Sequence, residues 1–159
     1  MKPMPPAALM ARDGANEQRA LGFLADLSQT LALSLDLRTT LPRALTRIAD
    51  FMQAEAASLF LLDEKTNLLE CRICVGPVDI SGLRVAVGQG VVGRAVAENA
   101  TQIVRDAQSD ERVNVRVDAE TGFVTRSILC APLSTANGPI GALEVINRRG
   151  GELDRKSVV

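Results

Sequence analysis

Two stretches decide the fold class: Arg126–Leu133, which reads RSILCAPL, and Ile140–Asn147, which reads IGALEVIN. Both are rich in apolar and β-branched residues, as strands are. The polar loop between them contains Asn137-Gly138, a pair that is typical of tight hairpin turns. The C-terminal part of the chain is therefore predicted to form an antiparallel β-hairpin.

A second hairpin is predicted near the middle of the chain. Ala57–Asp63 and Leu68–Val75 are short extended runs, and the turn-like Glu64–Asn67 separates them. Leu83–Val87 and Gln102–Val104 are predicted as two further strands. Because hairpins lie at both ends of this region, we expect a mostly antiparallel sheet with helices on its faces, which is the α+β class.

Two helices are predicted before the first strand. Asn16–Leu35 has apolar residues at steps of four and three, which indicates an amphipathic helix with a coiled-coil-like seam of Ala20, Leu24, Leu27 and Leu31. This seam packs either on the chain's own sheet or on a partner helix, and the pattern is too short to decide. A second helix extends to about Met52, with Thr39 or Thr40 as its N-cap and Pro42 in its first turn.

Two shorter helices are predicted between the later strands. Val91–Glu98 has the length of a short helix, and Asn99 is placed to end it as a C-cap. The polar stretch 106–122 has too little periodicity for more than a helical turn near 111–117. The predicted order is therefore two helices, three strands, a helix, a strand, a short helix and two strands.

The two ends of the chain are predicted to lie outside the folded domain, which spans residues 16–147. Residues 1–15 contain Pro3, Pro5 and Pro6 and predict a disordered lead-in rather than a signal peptide. Residues 148–159 are dominated by charge and predict a solvated tail.

The composition excludes several functions. The 159 residues suit one domain. Because the chain has no His, it cannot build a Ser-His-Asp triad or a His-ligated metal site. We therefore expect no catalytic residue, metal or cofactor. A net charge of −1 with 3% aromatic residues argues against nucleic-acid binding. No apolar run is long enough to span a bilayer, and three Cys without a pattern suit a reducing cytoplasm.

Gly88, Gly90 and Gly93 form a G-x-G-x-x-G pattern between a predicted strand and a helix. The dinucleotide-binding fingerprint requires a parallel βαβ unit, and here a hairpin precedes the motif. Glycines at such a corner can let backbone amides and a helix N-terminus face an anion. The alternative is that they serve only to turn the chain.

Cys71 and Cys74 form a single C-x-x-C pair within a predicted strand, where a spacing of three places them on opposite faces. Redox motifs place the first Cys at a helix N-terminus, and zinc sites need further ligands. Both residues, together with Cys130, are therefore predicted as ordinary core residues.

Four blocks of sequence carry the pattern of a known family: Ala57–Asp63 (ASLFLLD), Gly88–Val96 (GQGVVGRAV), Asn114–Leu133 (NVRVDAETGFVTRSILCAPL) and Ile140–Asn147. From about Leu21 to Asn147 the chain resembles a GAF domain. Within the third block, the part from Asp118 through Thr121-Gly122-Phe123 to Leu133 resembles the cyclic-nucleotide-binding GAF domains of phosphodiesterases and bacterial adenylyl cyclases. The resemblance implies a six-stranded antiparallel sheet with helices on both faces and a ligand pocket on its distal face.

The resemblance also implies a set of site residues. A purine would lie under Glu111–Phe123, and a cyclic phosphate would face the helix that begins near Gly90. The residues implied as ligand contacts are Ser58, Phe60, Gly90, Val91, Val92, Asn114, Val117, Thr121 and Phe123. The chain departs from the pattern after Asn147, where Arg148 replaces a Lys and no counterpart of the family's last helix is evident.

The function implied by the resemblance is regulatory and not enzymatic. A small ligand such as a cyclic nucleotide would act through the helices of a homodimer on a covalently linked output domain. The whole would be a cytoplasmic signal-transduction protein. No nucleic-acid or membrane partner is expected. Two alternatives stay open. One is a dimerisation module without a ligand, and the other is a thiol-dependent reductase of free methionine sulfoxide, which is disfavoured because the three cysteines fall in predicted strands.

Overall fold

The computed structural model describes residues 6–32 and 36–149. The order of helices and strands is the predicted one. Its elements are α1 (Pro6–Ala32), α2 (Leu37–Phe51), β1 (Ala54–Asp63), β2 (Leu68–Val75), β3 (Arg84–Ala86), α3 (Gly90–Glu98), β4 (Gln102–Val104), α4 (Val115–Thr121), β5 (Ile128–Thr135) and β6 (Gly138–Arg148).

The six strands form one antiparallel sheet in the order β3-β2-β1-β6-β5-β4. The long strands β1 and β6 lie at its centre, and the three-residue strands β3 and β4 form its edges. Both predicted hairpins, β1–β2 and β5–β6, are present. The α+β class and the six-stranded antiparallel sheet are therefore confirmed.

The helices cover both faces of the sheet, as predicted. On the face that we call the α2 face, Leu45 and Ala49 of α2 pack in one buried cluster with Ala54, Ala57, Leu129 and Val145 of the sheet. On the opposite face, which we call the α3 face, the buried part of α3 packs in a larger cluster with Phe60, Leu69, Cys71, Val104, Ile128, Cys130 and Ala142. In β5 and β6, alternate residues serve the two clusters, as the period of a strand requires.

Helix α1 begins at Pro6, earlier than the predicted start near Asn16, so residues 6–15 are helical rather than a disordered lead-in. Pro suits the first turn of a helix, and the Ala-rich stretch that follows has high helix propensity. The Phe23 ring stacks on Phe51 of α2 with centroids 4.3 Å apart. Residues 1–5 and 150–159 of the predicted lead-in and tail lie outside the described residues.

The predicted N-cap of α2 was wrong. Asp36 caps the helix, because its side chain accepts a hydrogen bond from the Arg38 amide at 3.0 Å. Thr39 and Thr40 lie in the first turn and donate their hydroxyls to Asp36 instead. Pro42 therefore lies inside the helix, beyond the first turn where it was predicted. A carboxylate one turn earlier in the sequence is the better acceptor for the free amides of a helix start.

Helix α4 lies further along the chain than the turn predicted near 111–117. The Asn114 side chain caps it by accepting from the Arg116 amide at 3.1 Å, and Gly122 ends it with a left-handed φ of 73°. Asn and Gly are the residues preferred at these two positions. The end signals, rather than apolar periodicity, therefore place this short helix.

The prediction that Cys71 and Cys74 lie on opposite faces was wrong. Leu59 pairs with Ile73 but the next residue, Phe60, pairs with Cys71, so β2 carries one extra residue at a bulge. A bulge reverses the alternation of side chains beyond it. As a result, both cysteines pack against the core of the α3 face.

Candidate functional site

The α3 face contains a cavity of about 450 Å³. Strands β1, β2 and β6 supply its floor, the start of α3 forms one wall, and α4 with the loop before it forms the roof. All nine residues predicted as ligand contacts line this one cavity: Ser58, Phe60, Gly90, Val91, Val92, Asn114, Val117, Thr121 and Phe123. The structure thus brings the predicted residues together around a space of small-molecule size.

The wall formed by the start of α3 presents backbone amides. Gly93 donates the first intrahelical hydrogen bond to the Gln89 carbonyl oxygen at 3.0 Å, so the amides of Gly90, Val91 and Val92 precede it. The Gln89 side chain makes no capping hydrogen bond to the helix. The first amides of a helix carry a partial positive charge and attract anions. This wall is therefore chemically suited to an anionic group.

The glycine motif also has a packing role. A Cβ atom at Gly93 would collide with the carbonyl oxygen of Ala86, so the close approach of α3 to β3 requires glycine there. Gly90 has a φ of +66°, which glycine adopts without strain. Both sequence interpretations, a turn in the chain and an anion-facing corner, are compatible with these positions.

The roof is tied together by its own side chains. Asp118 of α4 accepts hydrogen bonds from the amide and the hydroxyl of Thr125, both at 2.7 Å. The Thr121 hydroxyl donates to the Val117 carbonyl oxygen at 2.7 Å, and the Asn114 side chain caps α4. The side-chain oxygen of Asn114 and the hydroxyl of Thr121 therefore already have partners within the roof.

The segment that links the roof to β5 is anchored to the sheet by Asn147. Its Oδ1 accepts from the Arg126 amide at 2.6 Å and the Ser127 amide at 3.2 Å, and its Nδ2 donates to the Val124 carbonyl oxygen at 2.7 Å. Asn147 is fully buried with a φ of 57°. Hydrogen bonds from Arg126 and Asn147 lower the pKa of Glu55. The roof segment thus has a fixed attachment at the end of β6.

The centre of the floor carries a buried carboxyl group. Glu144 of β6 pairs with Ser58 of β1 on one side and with Cys130 of β5 on the other. Its side chain is only 7% exposed and borders the cavity. Among the described residues none forms a hydrogen bond or an ion pair with it, and burial raises its pKa to about 7.

Glu144 was missed by the sequence reasoning. The available signal was an acidic residue at the centre of the apolar run Ile140–Asn147. An ionisable residue is seldom buried without a partner unless a cavity or a ligand adjoins it. Such a residue in a strand is a candidate for a site whichever face it occupies.

Arg112, a basic residue that lines the cavity, is already paired with an acidic side chain. Arg112 donates to Asp110 from Nε at 2.9 Å and from Nη2 at 2.6 Å, and its Nη1 donates to Gln102 at 2.9 Å. These hydrogen bonds lower the pKa of Asp110 to about 2. Arg112 therefore positions the loop before α4 and contributes little net charge to the cavity.

The three cysteines differ in their access to the cavity. Cys71 and Cys130 are buried in the core, and burial raises the pKa of both thiols, that of Cys71 to about 12. Cys74 borders the cavity, and its sulfur accepts from the Ile80 amide at 3.3 Å. Only Cys74 is therefore placed to meet a molecule in the cavity.

In the part of the chain that the structure describes, no helix combines the length and the apolar character that a membrane span requires.

Several known proteins are similar to this chain in sequence. A family model described as GAF domain matches residues 34–158. The probable 3′,5′-cyclic phosphodiesterase pde-5 of Caenorhabditis elegans is 27% identical over 157 residues, which cover 89% of this chain and 21% of that protein. The dual 3′,5′-cyclic-AMP and -GMP phosphodiesterase 11 of Drosophila melanogaster is 29% identical over 146 residues, covering 82% of this chain and 10% of the relative. The chain thus spans a small part of each relative.

Solved structures share the fold. The GAF domain of a phosphoenolpyruvate-protein phosphotransferase from Coxiella burnetii superposes with a TM-score of 0.76 at 18% identity, covering 86% of this chain and 82% of that one. A free methionine-R-sulfoxide reductase from Neisseria meningitidis, solved with its substrate, gives 0.70 at 20% identity, covering 84% and 75%. The family match covers more than half of the chain and agrees with the fold seen here. The chain belongs to the GAF domain family.

Proposed function

We propose that this domain is a regulatory module that senses a small anionic ligand, with a cyclic nucleotide as the first candidate. The observation that carries the proposal is the cavity on the α3 face, in which uncapped amides of α3 stand over a floor of apolar and polar side chains. The sequence relatives that act on cyclic nucleotides support the choice of candidate.

The chemistry of the cavity suits a ligand with one anionic end and one flat or apolar body. The amides of Gly90, Val91 and Val92 are the anion-facing part. Phe60 and Phe123 supply aromatic surface against which a ring can pack. A cyclic nucleotide has a single charged phosphate and a planar base, which match these two parts.

The signal would leave through the elements that adjoin the roof. A ligand that orders α4 acts on the segment 124–127 through Asp118 and Thr125, and Asn147 ties this segment to the end of β6. A ligand can shift a conformational equilibrium only when it binds one state more tightly. We propose that the closed roof is that state, and that a covalently linked output domain responds to it.

Dimerisation through α1 belongs to the same proposal. Leu21 is 61% exposed and Leu24 is 54% exposed, and both lie on a helix whose stacked ring Phe23 already contacts α2. An apolar stripe left uncovered on an amphipathic helix favours association with a second helix. Replacing Leu21 and Leu24 together by Lys should convert a dimer into a monomer in light-scattering measurements, while the same change at the exposed Gln29 should not.

Calorimetric titration tests the ligand. Cyclic AMP, cyclic GMP and cyclic di-GMP are titrated separately into the protein, and saturable binding of at least one at one site per chain is expected. The variant Val91→Pro removes one anion-facing amide from the first turn of α3, where proline is tolerated, whereas Leu37→Pro makes the matched change in the first turn of α2. Retention of wild-type affinity by Val91→Pro would argue against an anion at α3, and absence of heat with all three would remove the nucleotide.

A second candidate function rests on Cys74, the one thiol that borders the cavity in the described part of the chain. Reduction of free methionine sulfoxide would need this thiol as the nucleophile, because the thiols of Cys71 and Cys130 are held protonated by burial. The Cys74 thiol is already engaged, because it donates a hydrogen bond to the Asp79 carboxylate at 3.2 Å. We therefore expect no reductase activity. Activity that is present in the protein and lost in Cys74→Ser would establish this alternative.

A further inference from the structure

The central carboxyl of the cavity floor has no counter-charge. Glu144 lies in a row of directly paired residues that crosses the sheet from Cys74 through Ser58 and Glu144 to Cys130. It is more than nine-tenths buried, it borders the cavity, and none of the described residues bonds to it. Removing a carboxylate from water without a partner costs several kcal/mol, which such a group avoids by binding a proton.

The surrounding elements offer little to stabilise an ionised Glu144. On β2 the titratable neighbours are Cys71 and Cys74, on β5 it is Cys130, and the cavity-lining residues of β1 and α3 carry no charge. Burial raises the pKa of the Cys71 and Cys130 thiols, and a Glu144 carboxylate raises it further. These thiols stay neutral and supply no charge that could pair with Glu144.

The charged residues further out on the cavity wall are mostly paired with other groups. Arg84 of β3 bonds to Glu70, Arg112 bonds to Asp110, and Asp118 bonds to Thr125. Glu111 and Arg116 of the roof also line the cavity, and both are exposed to solvent. Among the described residues, none of these charged groups forms an ion pair with Glu144.

We propose that binding in this cavity is coupled to protonation, such that an anionic ligand is taken up together with a proton that resides on Glu144. The inference rests on the proposed function, because it needs an anion at the start of α3. An anion there and an ionised Glu144 would share one cavity of low polarity, where like charges repel strongly. Protonating Glu144 removes this repulsion and leaves a neutral carboxyl that can donate or accept a hydrogen bond.

The coupling predicts a direction for the pH dependence. Burial raises the pKa of Glu144 to about 7, so the free protein changes its protonation across the neutral range. If the complex holds the proton, the apparent affinity for an anion falls as pH rises above this value, by roughly tenfold between about pH 6 and about pH 8. An accompanying uptake of protons is expected when binding is measured near pH 8.

The experiment is a titration with cyclic GMP and cyclic AMP at several pH values, each in two buffers of different ionisation enthalpy. The wild type should bind more weakly at high pH and should take up a proton there. Glu144→Gln, which mimics the protonated acid, should bind with an affinity that is nearly independent of pH. Glu64→Gln, on the exposed turn between β1 and β2, is the control and should behave as the wild type.

The protonation of Glu144 is also measured without a ligand. In protein labelled with carbon-13 at the Glu side-chain carboxyl, the resonance that is missing in Glu144→Gln should titrate near neutral pH. Titration of this resonance in the ordinary range of a Glu would overturn the inference, and so would nucleotide binding that shows no dependence on pH. No binding by any of the three proteins at any pH would instead overturn the proposed function, and the coupling with it.

Discussion

The two faces of the sheet are built from the same strands but are filled in opposite ways. On the α2 face, Leu45 and Ala49 pack directly on small and branched residues of β1, β5 and β6. On the α3 face, α3 packs on the strands in the larger buried cluster, but beside it the roof leaves a cavity of about 450 Å³ that reaches a buried Ser and a buried Glu. The difference teaches that both faces contribute to the core, whereas binding capacity is concentrated on the α3 face.

The largest expected effect on stability concerns the α2 face. Leu45 is only 3% exposed, so Leu45→Ala leaves an unfilled space and should lower the free energy of unfolding by about 2–5 kcal/mol. Leu83, which is partly buried and lines the cavity, is the comparison position on the α3 face. Leu83→Ala removes the same atoms but only widens an existing space, so it should cost less, and urea denaturation measures both. Equal losses would contradict the contrast between the faces.

The second prediction is a gain in the free energy of unfolding relative to the wild type, rather than a loss. The pKa of Glu144 is raised from the usual 4.5 to about 7, so between these values the folded protein binds more protons than the unfolded chain. Its free energy of unfolding therefore falls as pH rises from about 4.5 to about 7, and the penalty is fully present above that range. Glu144→Gln removes this dependence, and its stability relative to the wild type should rise from about pH 5 to about pH 8.

Thermal or urea unfolding at these two pH values checks the second prediction. Glu64→Gln is again the control, since an exposed carboxyl on the turn between β1 and β2 should leave the pH dependence of the wild type intact. If the free energies of unfolding of the wild type and Glu144→Gln changed in parallel with pH, the Glu144 carboxyl would be ionised in both the folded and the unfolded protein.

Sequence reasoning predicted the architecture well because hairpins and caps are local features. Asn99 adopts the left-handed conformation that ends α3, as its position in the sequence predicted. The boundaries of β2 and β4 were also predicted correctly, because turn residues flank both strands. Local signals failed where two competed, as at the start of α2, where Asp36 rather than Thr39 or Thr40 is the cap.

The contents of the site were only partly predictable. The nine predicted residues share one cavity, since the family resemblance aligned whole blocks that fold as units. The burial of Glu144 depends on its register between Ser58 and Cys130, which are distant in sequence. The shared face of Cys71 and Cys74 depends on a bulge that single-strand periodicity does not reveal. Cross-strand pairing is therefore the information that the sequence patterns lacked.

The smallest expected effect concerns the roof of the cavity on the α3 face. Thr125→Val removes the hydroxyl that donates to Asp118 but keeps the backbone amide that also donates to it. The loss of one hydrogen bond should cost about 1 kcal/mol and should speed hydrogen exchange of α4 more than that of α2. The control is Thr46→Val at an exposed position of α2, which removes a hydroxyl that donates to the Pro42 carbonyl oxygen. Unchanged exchange in α4 would show that Asp118 and Thr125 do not hold the roof closed.

The most direct test of the central claim follows individual amides while a nucleotide is added. In nitrogen-15 NMR spectra with increasing cyclic GMP, the amide signals of Gly90, Val91 and Val92 should shift most, because the anion would accept their hydrogen bonds. Signals of Leu45 and Ala49 on the α2 face should move little. Shifts confined to the α2 face, or none at saturating nucleotide, would contradict a ligand site at the start of α3.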